Sequence, residues 1–279
     1  FAYNLCAGLL RAVGDSLAAL YFLIIAAILN ILLDLYFITQ LHLGVQSAGI
    51  ATIIAQGISA LLCLLYIRKK VPFLLPHRKD FVWDKELYQD LLSQGLAMGL
   101  MTSIVSIGTV ILQSAINQLG TTIISAQVAA RRIMSFAVLP ITAIASSITT
   151  FISQNFGAEQ FQRIKKGVTI ANLLSWVWSV LVAALLFFTS PSITSFISGS
   201  TNPDLIANAS LYLQISSCFY PILASLIILR NALQGMGKKL TPLTSSFIEL
   251  FGKIFFVLWI IPHTGYMGVI LCEPLIWVA

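Results

Sequence analysis

Polar residues along this chain come in clusters, and the stretches between them are apolar. Apolar runs lie at about 17–39, 46–67, 90–118, 122–154, 167–190, 204–234, 240–261 and 265–279, after a partial run at about 1–12. A helix needs about 20 apolar residues to cross the hydrocarbon core of a bilayer. The pattern predicts an all-α polytopic membrane protein with about 8.5 transmembrane helices in this sequence. Several runs exceed the required length, so tilt or extension beyond the bilayer is expected.

The breaks alternate in character. One set holds Arg11; Arg68, Lys69, Lys70, Arg78, Lys79 and Lys85; Arg163, Lys165 and Lys166; and Lys238 and Lys239, which is twelve of the sixteen basic residues. The other set, near 40–46, 118–122, 190–204 and 261–265, holds none. Lys and Arg concentrate on the cytoplasmic side of a membrane protein, so this alternation sets the orientation. It also supports the number of spans, because one missed helix would scramble it.

Composition agrees. Hydrophobic residues make up 58% of the chain and charged residues 9%, against about 25% charged in a soluble domain. Mean hydropathy is +0.92. The net charge of +6 follows from topology, which removes the argument for a nucleic-acid partner; the expected partner is the lipid bilayer. Cys6, Cys63, Cys218 and Cys272 all fall in apolar runs without CxxC spacing, so they read as small buried hydrophobes and predict no zinc site or disulfide framework. No signal peptide is visible. The chain opens on Phe1 and ends inside an apolar run, so it is expected to be a fragment truncated at both ends.

The long polar stretch 69–89 contains Pro72 and Pro76, followed by Phe81, Trp83, Leu87 and Tyr88. It predicts a cytoplasmic linker carrying a short interfacial helix. The expected domains are therefore 1–68, a carboxy-terminal part of a first lobe; 69–89, the linker; and 90–279, a second lobe. An internal repeat supports two lobes. The segments 9–20 and 228–243 each carry Leu-Arg and then Gly with polar residues, and 42–52 and 263–273 each open His-x-Gly. The offsets are 219 to 223. Duplicated six-helix bundles in parallel orientation would produce this pattern, with substrate bound between them and alternating access by rocking.

Asn30 and Asp34 lie inside the 17–39 run, one turn apart on one helical face. A carboxylate at membrane depth costs roughly 2.5–3.5 kcal/mol on insertion scales and is a functional-site candidate by default.

The chain resembles the multidrug and toxic compound extrusion (MATE) family. The resemblance rests on Leu10-Arg11-Ala12-Val13-Gly14-Asp15-Ser16; on Asn30, Leu33, Asp34 and Phe37; on Gly44, Val45, Ala51, Thr52 and Gln56; on Ser153-Gln154-Asn155-Phe156-Gly157-Ala158 with Arg163; and on Gln234, Gly235, Gly237 and Lys238. It implies helices 4–12 of a twelve-helix protein, with the last one cut. The implied activity is secondary antiport, exporting cationic or amphiphilic drug-like molecules across the plasma membrane in exchange for protons or sodium. A monomer without a cofactor is expected. The resemblance also implies that Asn30, Asp34 and Thr52 form a proton or sodium site, completed by an acid on the family's first helix, outside this sequence. The chain departs from the family at Ser47, Gly49 and Ala97. A branch of the family places acids on its seventh and tenth helices, and here the apolar parts of 90–118 and 204–234 carry none.

Other polar residues fall within apolar runs. Glu249 and Lys253 have the spacing and order of a helical ion pair. Glu273 precedes Pro274 and falls opposite Thr52 under the repeat. Arg131 and Arg132 point about 100° apart, so one of them is expected to meet an acid such as Glu249 or Glu273. Gln113, Asn117 and Gln127 are candidate cavity residues. Arg11 and Arg230 are expected to snorkel to the basic edge. His42, His77 and His263 read as solvated, and Trp176, Trp178, Phe187 and Phe188 as lipid-facing. A flippase for lipid-linked saccharides is the alternative function, drawing on Arg131 and Arg132. A channel or receptor does not explain the repeat. A membrane enzyme has no supporting motif, and the expectation is a protein that is not an enzyme.

Overall fold

The small residues decide how these helices meet. In a computed structural model describing residues 2–42 and 44–278, every long element is helical and no strand occurs among the described residues. The chain forms two compact units, Phe1–Asp84 and Lys85–Ala279.

The first unit holds α1 (Ala2–Ala12), α2 (Ser16–Thr39) and α3 (Gln46–Lys70). Ser47, Ala51, Ala55, Ser59, Cys63 and Ile67 repeat every fourth residue along α3 and are all buried. Such a stripe lets helix backbones approach closely where lipid supplies no hydrophobic drive, and Ser59 Oγ donates to the Phe22 carbonyl of α2 at 2.6 Å. The segment 10–16 becomes a helix stop and start. Gly14 takes φ +91°, a conformation that disfavours side chains. Asp15 then caps α2, accepting from the Ala18 amide at 3.1 Å and from the Tyr66 hydroxyl at 2.9 Å.

The expected interfacial helix in 69–89 is not there. The stretch forms two short 3-10 turns, Pro72–Leu74 and Arg78–Asp80. Phe81–Asp84 has no regular structure, and Leu87 and Tyr88 already belong to α4 (Lys85–Asn117). Pro72 and Pro76 cannot donate backbone hydrogen bonds, which keeps the first part from forming a continuous helix.

The second unit continues with α5 (Thr121–Gly157), α6 (Phe161–Ser198), α7 (Pro203–Cys218), α8 (Tyr220–Gly235), α9 (Leu240–Phe255), α10 (Ile261–Thr264) and α11 (Tyr266–Val278). The 204–234 run, read as one span, is a pair, α7 and α8, bent by 58°. Pro221, without an amide proton, sits where the ladder breaks. The 240–261 run likewise widens into a π-helical turn, Phe256–Ile260, just before Pro262. Six described helices are long and apolar enough to cross a membrane, or seven with the bent pair as one span. Helices α1 and α11, of 11 and 13 residues, are too short by length.

Packing in the second unit is tight at Gly235 and Gly252. A Cβ on Gly235 would stand 2.7 Å from the Thr149 carbonyl oxygen, and one on Gly252 2.8 Å from Ile276. Gly235→Ala is therefore expected to cost about 1–3 kcal/mol as an overpacking change, read as a fall in the melting temperature of the purified protein. An unchanged melting temperature would show that α5 and α8 can separate without cost. Trp178 is not lipid-facing: its indole donates to the Ala137 carbonyl at 2.9 Å, and it packs against the core. Of the cysteines, Cys63 and Cys272 are buried, but Cys6 is half-buried and Cys218 exposed, so only two match the reading as buried hydrophobes.

Candidate functional site

Each unit gathers its own polar residues. In the first, Asn30 on α2 donates through Nδ2 to Thr52 Oγ1 on α3 at 3.3 Å. The Thr52 hydroxyl donates to its own helix, at the Ala48 carbonyl, 2.7 Å away. Both side chains line a cavity of about 210 Å³ with Tyr3, Asn4 and Gln56. Asp34 lies one turn further along α2, outside that lining, and its buried Oδ1 has no hydrogen-bond partner among the described residues. The structure thus joins Asn30 to Thr52 but not Asp34 to either.

The second unit holds a larger polar cluster. Arg131 Nη2 on α5 meets Glu273 Oε1 on α11 at 3.2 Å. Lys253 Nζ on α9 lies 2.9 Å from Glu249 Oε1 and 3.8 Å from Glu273 Oε1, so it stands between the two acids. Arg230 on α8 reaches Glu249 Oε2 at 3.4 Å, and its Nε donates to Ser245 Oγ at 2.7 Å. Tyr212 on α7 donates to Glu273 Oε2 at 3.1 Å. Lys253 is 2% exposed, and its stem lies against α4, where a Cβ on Gly108 would stand 3.0 Å from Lys253 Cδ. An ammonium removed from water this far is tolerated only with close counter-charges.

These contacts sort the sequence candidates. Glu249, Lys253, Glu273 and Arg131 come together. Arg132, the neighbour of Arg131, is exposed. Gln113 and Asn117 bond to each other at 2.9 Å on α4. Gln127 is 1% exposed, accepts from the Tyr266 hydroxyl at 2.9 Å, and leaves its Nε2 without a partner among the described residues. Arg230 does not snorkel: its helix turns it inward onto Glu249. Tyr212, Ser245 and Tyr266 gave no sequence signal, because a tyrosine or serine in an apolar helix looks the same whether it faces lipid or an acid on another helix. Among the described residues no three of His, Cys, Asp and Glu gather as a metal centre would require.

The MatE family model matches residues 97–259. The chain is 30% identical over 252 residues to the probable multidrug resistance protein YpnP of Bacillus subtilis, covering 89% of this chain and 55% of that protein. It is 27% identical over 252 residues to a protein of Shewanella oneidensis named FAD transporter, covering 86% and 54%. In structure it resembles an outward-facing multidrug resistance MATE family transporter of the MOP superfamily, with TM-score 0.88 and 21% identity, covering 99% of this chain and 62% of that one. The chain spans about half the length of the curated relatives it matches.

Proposed function

The chain belongs to the MatE family and is a multi-pass membrane protein, and from that premise we propose that it forms part of a secondary antiporter. In this reading the intact protein exports cationic or amphiphilic small molecules across the plasma membrane in exchange for protons or sodium. The observation that carries the coupling is the first unit's polar group: a carboxylate on α2 one turn from the Asn30–Thr52 pair, which itself lines a cavity of about 210 Å³. A carboxylate there can take a proton, or share a cation with amide and hydroxyl oxygens, whereas an apolar residue can do neither. The Lys253 cluster in the second unit then serves to hold helices together, since each of its acids already has basic partners.

The test is efflux of a cationic dye by the intact protein in proteoliposomes under a pH gradient or a sodium gradient, imposed separately. One gradient is expected to drive efflux and the other not. Efflux that responds to neither gradient overturns the coupling.

A second reading, a flippase or exporter of anionic lipid-linked saccharides, is favoured by one observation. The second-unit cluster holds three cations, Arg131, Arg230 and Lys253, against two carboxylates. The relative named for FAD, itself an anionic molecule, points the same way. An anionic substrate would be expected to inhibit dye efflux competitively.

A further inference from the structure

Away from the Lys253 cluster, α5 and α6 enclose an open apolar groove of about 290 Å³. Its α5 wall is Ile144, Ile148 and Phe151, at helical spacing, and its α6 wall is Gly167, Ile170 and Leu174. Gly167 lets the Phe151 ring lie directly on α6 at this end of the groove, since a Cβ there would stand 2.5 Å from that ring.

The α6 wall continues toward the basic side of the protein. Arg163 is four residues before Gly167, and Lys166 four before Ile170, so both lie near the face of the groove, Lys166 level with its Gly167 end and Arg163 one turn beyond it. Both are exposed. Lys165 is exposed too but turned roughly 100° from Lys166 and 200° from Arg163. Across 151–180 the one acidic residue is Glu159, in the turn before α6, against three basic ones. None of those three basic residues is held in an ion pair among the described residues. The α6 amino terminus also carries no acid in its first turn, which leaves its partial positive charge uncompensated by the helix itself.

We propose that this groove, with Arg163 and Lys166 at its basic end, binds one anionic phospholipid of the cytoplasmic leaflet. An acyl chain lies between α5 and α6 and the phosphate meets the two basic side chains. The charge decides the occupant: a zwitterionic lipid would fill the groove equally well and present the same phosphate, but it would bring its own ammonium beside the two cations, whereas a headgroup with net negative charge is drawn to basic residues at this leaflet.

The test uses the intact protein extracted from vesicles of equal phosphatidylglycerol and phosphatidylethanolamine, with retained lipid read by native mass spectrometry. The wild type is expected to retain phosphatidylglycerol preferentially. Arg163→Gln with Lys166→Gln should reduce that retention roughly tenfold or more, the size expected for two basic groups at an anionic surface. Lys165→Gln should retain it, and Ile170→Trp should displace it with both charges in place. Arg163→Lys with Lys166→Arg, which keeps the charge, should bind as the wild type does and separates loss of the site from loss of fold. Absence of a phosphatidylglycerol preference, a double Gln variant equal to wild type, an equal loss in Lys165→Gln, or unchanged retention in Ile170→Trp would each overturn the proposal.

Discussion

Asp34→Asn in the intact protein is expected to abolish ion-coupled export while leaving insertion and folding in place. The substitution keeps the shape of the side chain and removes both its negative charge and its ability to take up and release a proton. It breaks no bond to Oδ1, which has no partner among the described residues. It also removes a charge from an apolar helix, where a carboxylate costs roughly 2.5–3.5 kcal/mol, so yield in the membrane should be equal or better. Gradient-driven efflux should fall at least tenfold, equivalent to about 1.4 kcal/mol of barrier. If the variant exports as the wild type does at every pH and sodium concentration, Asp34 is not the coupling group. Thr52→Ala should be milder, because Thr52 already donates its proton to Ala48 and can offer a cation only its remaining lone pair.

Lys253→Met is expected to have the largest effect on stability. Lys253 is buried between two carboxylates that come from different helices. Removing its charge leaves Glu249 to Arg230 and Glu273 to Arg131 at 3.4 and 3.2 Å, in a cluster built around a third cation. Breaking a buried pair in this way costs about 3–5 kcal/mol, a fall in melting temperature on the order of 10 °C. Glu249→Gln should also destabilise, with little direct effect on coupling. Combining the two changes should cost clearly less than their sum, as coupled neighbours do. Strict additivity in that double-mutant cycle, or loss of export by Glu249→Gln with an unchanged melting temperature, would show that the cluster is more than a structural brace.

The helices were legible because membrane insertion leaves few alternatives: long apolar runs must satisfy their backbone internally, and most of the predicted runs coincide with observed helices within a few residues. The i,i+4 pair Glu249–Lys253 was legible for the same reason, since its geometry is local. Its extension was not. Arg230 lies near a basic break, where snorkelling is the ordinary expectation, and only the packing of α8 against its neighbours turns it toward Glu249. The choice between Arg131 and Arg132 had the same character: sequence spacing shows that they diverge, and only the position of α11 selects Arg131. The breaks within two spans were missed although Pro221 and Pro262 mark them, because hydropathy averages over a break that backbone hydrogen bonding cannot ignore. The interfacial helix failed from the opposite cause: its aromatics satisfied a composition rule, while nearby prolines and the early start of α4 left no room for it.

The π turn at Phe256–Ile260 has one more effect. A widened turn of this kind inserts one residue into the helical count, so everything after it is rotated by about 100° from where a regular helix would place it. A helical wheel drawn straight through 240–264 would therefore assign the wrong faces to Ile261 and His263 relative to Glu249 and Lys253. The insertion is an angular offset written into the chain, and the orientation from which α11 brings Glu273 back to Lys253 depends on it.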